Sequence, residues 1–275
     1  MKAEIDGRLS EDQIAAFNEK GYVVVDFSLD PAILDRIVEK MEPEYGEDYR
    51  LLPTNPTRVQ NAWKTIDEVR QLATDSRISV ALEQLFGRKS LPFQTLNFPI
   101  GTRQCTHSDA VHFNSIPAGF MSGVWVALED IDETNGALRY YPGSHKLAET
   151  SMQGFGLETG YEDYDKYEEC VQKLIETQGL SAEYGTIKKG EALIWHPNLL
   201  HGGAPQTDLS RTRHSQVTHY FFENCKYYNP MENKSGKLKF HKPFWVPETA
   251  DFILPEDMSK VGRLIYRLRR RLGIS

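Results

Sequence analysis

The sequence predicts an α+β fold whose core is mainly β. Helical signals, meaning capping residues followed by apolar positions three and four apart, gather before residue 90. From residue 91 the texture changes to short β-type runs punctuated by Gly, Pro and Asn. Short strands at such spacing read as a sandwich or barrel, and helices followed by strands read as α+β rather than alternating α/β.

Taken in order, Ser10-Glu11-Asp12-Gln13 is a capping box opening a helix that buries Ile14 and Phe17 and stops at Gly21. Tyr22–Val25 reads as a buried strand. Asp30-Pro31 caps and starts a second helix, with Ile33, Ile37 and Met41 on one side. Residues 42–62 read as a loop, and 65–86 as a helical region carrying Val69, Leu72 and Leu82. Strands are expected at Phe93–Phe98, Cys105–Asp109, Gly119–Leu128, Leu138–Tyr141, Thr186–Lys188, Ala192–Trp195 and Arg213–Phe222.

Residues 147–180 interrupt the strands with an acidic segment. Tyr164, Tyr167, Val171, Leu174 and Ile175 give it a helical stripe. It reads either as a solvated helix packed on the sheet or as a lid over an active site. Residues 259–275 carry six basic residues and no acidic ones, with Val261, Leu264, Ile265, Leu268 and Leu272 on one helical face. Such a basic amphipathic helix either packs on its own acidic domain or docks on an anionic partner or membrane surface.

The 275 residues, 40% of them hydrophobic, suit one domain over 1–258 followed by that helix. A net charge of −7 argues against a dedicated nucleic-acid binder. Cys105, Cys170 and Cys225 are odd in number and far apart, so neither a disulfide framework nor a Cys-x-x-Cys site is expected, and a reducing, cytoplasmic setting is. The polar N-terminus has no apolar signal core. No run approaches the ~18 apolar residues of a membrane span.

The chemistry concentrates at His107-Ser108-Asp109. Side chains two apart on a strand share a face, so one imidazole and one carboxylate can reach a single cation. Of the eight histidines, His201 is the best partner. It follows an apolar strand and a Pro-Asn turn, and precedes Gly202 and Gly203, which permit close backbone approach. Two His and a carboxylate leave one face of a metal open, as in non-haem Fe(II) facial triads. Zinc sites use the same donors, often on a helical His-Glu-x-x-His, which is absent here. Arg213, twelve residues past His201 and facing as Ser215, Val217 and His219 do, tips the balance. A buried arginine without an acidic partner in its own strand invites an anionic ligand.

Several phrases in order resemble the phytanoyl-CoA dioxygenase family of Fe(II)/2-oxoglutarate oxygenases. They are Leu9-Ser10…Phe17…Gly21–Val25, Gly101-Thr102…His107-Ser108-Asp109, Trp125–Leu128, Asn135–Leu138…Pro142-Gly143-Ser144-His145, and His201-Gly202-Gly203 with Arg213. The resemblance implies a double-stranded β-helix, the jelly-roll or cupin-like fold, with N-terminal flanking helices. It implies Fe(II) on His107, Asp109 and His201, and 2-oxoglutarate on Arg213, with Arg211 as competitor. Gln94, Asn97 and Trp125 match cosubstrate positions of relatives. Gly203 departs from the serine of several relatives and removes one hydrogen bond. The implied reaction consumes O2 and 2-oxoglutarate, releases succinate and CO2, and hydroxylates an unactivated C–H bond of a small-molecule substrate, free or carrier- or CoA-linked. Asp109, where related halogenases have a small residue, favours hydroxylation. The chain ends Gly273-Ile274-Ser275, without a peroxisomal tail.

Among other residues, His145 reads as structural and His219 as a hydrogen-bonded core residue, while His112 faces substrate or solvent. His196 and His214 read as peripheral, and Phe113, Phe120, Tyr140 and Trp195 as core or pocket lining. Two other classes remain open: a cupin-type metal-dependent isomerase or hydrolase without 2-oxoglutarate, and a noncatalytic ligand-sensing domain.

Overall fold

The computed structural model describes residues 6–46, 58–233, 237–252, 254, 259 and 261. The basic C-terminal segment expected over 259–275 lies almost wholly outside the described residues.

Helix α1 (Glu11–Lys20) forms as its caps dictate. Ser10 Oγ accepts from Gln13 N at 3.2 Å, while Gln13 Oε1 accepts from Ser10 N at 2.8 Å. Gly21 ends the helix in the left-handed region, and a Cβ there would lie 2.4 Å from the His145 ring. His145 Nε2 lies 3.2 Å from Asn18 O, so the Pro-Gly-Ser-His turn clamps this helix end, a structural role as read. Strand β1 (Tyr22–Asp26) leads to α2 (Pro31–Met41), capped by Asp30, which buries Leu34, Ile37 and Met41. The expected loop carries a two-residue strand, β2 (Val59–Gln60). The 65–86 region is two helices, α3 (Asp67–Ala73) and α4 (Ser76–Phe86). Asp75 breaks them because its carboxylate accepts from Arg77 N and caps α4.

The remaining strands are β3 (Ser90–Phe98), β4 (Asn114–Ile116), β5 (Met121–Ala127) and β6 (Leu138–Tyr140). After helix α5 (Tyr164–Gln178) come β7 (Glu183–Tyr184), β8 (Glu191–Trp195) and β9 (His201–Gly203). Strands β10 (Ser215–Phe222), β11 (Lys226–Tyr228) and β12 (Phe240–His241) follow. The major sheet runs β1-β8-β5-β10-β3-β2, and every pairing in it is antiparallel. A smaller sheet, β7-β6-β9, supplies the second layer of a double-stranded β-helix.

Alternation sorts the major sheet into two faces. Val124, Val126, Ile194, Tyr220 and Phe222 join the cluster built by α1 to α4, whereas Trp125, Ala127, Leu193, Trp195 and Val217 face the space between the sheets. The helices thus shield one face, and the site occupies the other.

Two expected strands are shorter than read. Ile187 makes a single bridge to Ile131, and His107 a single bridge to His201. The first extended run stops because Ser108 Oγ accepts from Ala110 N and opens a 3-10 turn over Asp109–Val111. Arg213 precedes β10 rather than lying in it, with its N–H on Pro99 O. The three-residue strands β4, β9 and β11 and the two-residue β2, β7 and β12 were not expected from the sequence.

Replacing Ser10 by Ala removes one arm of the capping box. We expect a loss of about 1 kcal/mol, read as a fall of roughly 2–4 °C in melting temperature, with the cavity chemistry unchanged.

Candidate metal centre

His107 and His201 exchange both backbone hydrogen bonds, each 2.9 Å, which sets their rings 4.6 Å apart. The approach demands glycine after His201. A Cβ on Gly202 would lie 2.7 Å from Gln104 O, and one on Gly203 would lie 2.5 Å from Thr102 Oγ1 and 2.6 Å from Arg103 N. The departure at Gly203 therefore has a packing cause: residues 102–104 fill the space a serine would need. Asp109 joins the pair because Ser108 stays extended (φ −110°, ψ 136°), so His107 and Asp109 share a face although the strand has ended.

The three side chains are buried, and one ligand atom of each lies within 4.8 Å of the others. Asp109 Oδ1 is 3.7 Å from His107 Nε2 and 3.8 Å from His201 Nε2. His107 Nδ1 is 3.0 Å from Cys105 O, and His201 Nδ1 is 2.9 Å from Leu199 O. A carbonyl only accepts, so each Nδ1 carries a proton, which leaves each Nε2 facing Asp109. Burial, helped by His201, holds His107 well below the ordinary imidazole range and so keeps it neutral. For Asp109 burial alone would raise the carboxyl, but the facing imidazoles and an indole N–H outweigh it and lower it. Two imidazole Nε2 atoms and one carboxylate oxygen converge as ligands of a divalent cation do.

Trp195 Nε1 donates to Asp109 Oδ2 at 2.7 Å, leaving Oδ1 free to face the imidazoles. The indole lies over Gly123 on the neighbouring strand, where a Cβ would fall 2.1 Å from the ring. Sequence reading weighed Trp195 only as core or pocket lining, because the cross-strand pairing that brings Gly123 beneath it is invisible in one dimension. His219, read as a hydrogen-bonded core residue, does bond: its Nδ1 is 2.9 Å from Gln94 Oε1, and its Nε2 is 3.8 Å from Asp109 Oδ2. Burial pushes it down to about 4.

Arg213 is buried in the same cavity. It donates from Nη1 to Ser215 Oγ at 2.6 Å, and its guanidinium sits 5.4 Å from the Phe98 ring and 5.6 Å from that of Trp125. Its Nε has no partner among the described residues. Burial lowers it to about 10, which leaves it cationic at neutral pH. An orphaned cationic donor on a cavity floor fits a carboxylate. Arg211, the competitor, instead pairs with Asp132 at 2.5 Å, outside the cavity. Gln94 and Trp125 line the cavity as expected. Asn97 does not. Alternation turns it with Gln216 away from the site, its Nδ2 donating to Gln216 Oε1 at 3.2 Å, so the expected cosubstrate contact is corrected. Gln94 and Asn97 are three apart and cannot share a face of one regular strand.

The cavity holds about 370 Å³, near the lower end of ligand pockets. Phe113 and Trp195 line it, whereas Phe120 and Tyr140 pack in the core. His112 faces it, within 3.0 Å of the Tyr164 hydroxyl and stacked on Tyr161. His196 and His214 stand outside it. Sequence reading missed Arg58 and Gln104, which also line it.

Residues 17–214 match the family described as Phytanoyl-CoA dioxygenase (PhyH). The chain is 25% identical over 161 residues to the Phytanoyl-CoA dioxygenase domain-containing protein 1 homolog of Caenorhabditis elegans, covering 57% of this chain and 50% of that protein. It is 30% identical over 131 residues to the peroxisomal Phytanoyl-CoA dioxygenase of Rattus norvegicus, covering 46% and 36%. The chain thus spans about half the length, or less, of these curated relatives. The carbocyclase SnoK from nogalamycin biosynthesis, described as non-heme and alpha ketoglutarate dependent, superposes with a TM-score of 0.66 at 18% identity, over 82% of this chain and 89% of that one. EctD from S. alaskensis, solved with 2-oxoglutarate and 5-hydroxyectoine, gives 0.57 at 21% identity, over 78% and 76%. At those identities the likeness speaks for the fold.

Two substitutions test how the site is held. Trp195→Phe keeps an aromatic side chain, smaller than the indole, and removes the donor to Asp109, so metal affinity should fall by roughly 10–100-fold in a competitive chelator titration, with the far-UV spectrum preserved. Gly123→Ala drives a methyl into the indole. It should cost about 1–3 kcal/mol of stability, seen by denaturant unfolding, and weaken metal binding in the same direction.

Proposed function

The chain belongs to the phytanoyl-CoA dioxygenase family of iron- and 2-oxoglutarate-dependent oxygenases, and from that premise we propose that it hydroxylates an unactivated C–H bond of a small molecule. The observation that carries this is the placement of Arg213 in the same buried cavity as the His107–Asp109–His201 cluster. A metal-dependent hydrolase or isomerase without 2-oxoglutarate would not need a desolvated arginine there, and burying that charge without an anion to meet it is costly.

In this reading His107, Asp109 and His201 hold Fe(II), and Arg213 takes the distal carboxylate of 2-oxoglutarate. Bound iron, 2-oxoglutarate and O2 supply the oxidising chemistry: the cosubstrate leaves as succinate and CO2, and one oxygen atom enters the substrate. The protein's part is orientation. Cys105 O and Leu199 O fix the imidazole tautomers, and Trp195 turns Asp109. Trp125 and Phe98 flank the guanidinium and keep water from it. Gln94, oriented by His219, and Trp125 complete the cosubstrate wall. The 147–180 segment serves as a lid, a role supported by Tyr161 at the cavity and by the Tyr164–His112 contact. A reducing, cytoplasmic setting accords with three free cysteines. Among the described residues no helix is long and apolar enough to cross a membrane.

Anaerobic titration of the metal-free protein with Fe(II) and 2-oxoglutarate should raise the weak visible charge-transfer band of the chelate. His107→Ala should abolish it. Arg213→Ala should weaken 2-oxoglutarate on the order of 100-fold while metal still binds. Metal binding without a band in the unaltered protein would instead favour a metal enzyme that does not use 2-oxoglutarate.

A further inference from the structure

The cavity wall has an uneven charge. Asp109 is its one acidic residue among those described, against two arginines, Arg213 on the floor and Arg58 at the exposed rim. If the cavity works as proposed above, the charges of Fe(II) and Arg213 are cancelled by Asp109 and the dianionic cosubstrate. Arg58 is then left over.

Arg58 is not a stray surface side chain. It immediately precedes β2, which pairs with β3 through Val59–Asn97 and Gln60–Leu96, and Asn61 N donates to Thr95 O at 2.7 Å. Its backbone is thus set by the sheet edge. Among the described residues it has no hydrogen bond or ion pair. Its charge disfavours protonation of the His112 and His219 rings, which line the same cavity. The same cavity carries an aromatic wall. The His112 and Tyr161 rings stack at 6.1 Å and 13°, and Phe113 lies 5.2 Å from His219.

We propose that Arg58 recognises a single anionic group on the substrate, a carboxylate or a phosphate, whose compact apolar body lies against His112, Tyr161 and Phe113. A planar guanidinium matches either anion bidentately. A few placed polar groups on apolar walls are what fix a ligand's orientation in such pockets. Arg213 and Arg58 thereby divide the labour: the buried one holds the cosubstrate, and the rim one selects the molecule to be oxidised. The proposal rests on the 2-oxoglutarate reading for which arginine is spare.

The test uses the protein assembled anaerobically with Fe(II) and 2-oxoglutarate, titrated calorimetrically with phenylacetate, phenylacetamide and phenyl phosphate. The unaltered protein should bind phenylacetate at least about tenfold more tightly than the neutral amide. Arg58→Gln should erase that preference and Arg58→Lys should keep part of it, with the chelate band intact in both. Phenyl phosphate binding more tightly than phenylacetate assigns the site to phosphate esters, and the reverse order to carboxylates. Equal binding of acid and amide, no binding of any anion, or an unchanged preference in Arg58→Gln overturns the proposal. So does loss of 2-oxoglutarate affinity in Arg58→Gln, because Arg58 would then serve the cosubstrate. If no chelate band forms in the unaltered protein, the 2-oxoglutarate reading fails by itself. The acid–amide comparison, repeated without metal on Arg213→Ala with and without Arg58→Gln, still decides whether Arg58 selects anions.

Discussion

The pair of backbone hydrogen bonds between His107 and His201 is the constraint on which the site depends. It is the shortest antiparallel contact, one residue on each side, yet it places two imidazoles in register without any side-chain bond between them. The chain at 102–104 must run hard against 202–203, and only glycine leaves room. Through Tyr140–His201 pairing the same contact ties the pair to the smaller sheet, while Asp109 is tied by Trp195 to the larger one. The two imidazoles are therefore held at the smaller sheet and Asp109 is oriented from the larger one, so the cluster depends on both layers of the β-helix.

Closure has an electrostatic cost. A carboxylate and a guanidinium are buried on one cavity wall without forming an ion pair with each other, and each prefers water. Asp109 is compensated by an indole N–H and by imidazoles, all of which are rigidly held. Arg213 has one hydroxyl partner and two aromatic faces, with Nε left over. That imbalance is what a stability-driven core would remove, and what a site prepared for a cation and an anion must retain.

Much of this was readable in one dimension, for physical reasons. Ser10, Gln13, Gly21, Asp30 and Pro31 act locally, so their helix ends follow from residue type alone. Period-two alternation correctly turned Ser215, Val217 and His219 to one face, and the same rule, applied to Gln94 and Asn97 together, would have left only one of the two at the site. The convergence of His107, Asp109 and His201 was legible because His-x-Asp needs only an extended residue between its members, and Ser108 supplies one even where the strand ends. The rest depended on pairing. Trp195 becomes the holder of Asp109 only when β5 and β8 bring Gly123 beneath it, and Arg58 reaches the cavity only because β2 adds to the edge of β3. Strands of two or three residues carry little periodicity, and β6 alone among them was read from the sequence.

The acidic insertion shows how such pairing extends beyond the sheets. Ser108 N–H, left without a strand partner when the chain turns at Asp109, donates to the Tyr167 hydroxyl, which in turn donates to Thr150 O. Three residues before Tyr167, the Tyr164 hydroxyl meets His112, and Tyr161 stacks on that ring from the loop beyond. One helical stripe, Tyr164, Tyr167, Val171 and Ile175, thus packs inward while its leading end touches both the residue between two metal ligands and the cavity wall. A displacement of α5 would disturb the backbone of the metal motif and the aromatic wall together, because the same turn of helix holds both. The solvated-helix and lid readings of this segment therefore do not compete. The acidic face meets solvent, while the tyrosine edge touches both Ser108 and the cavity wall, as the proposed lid requires.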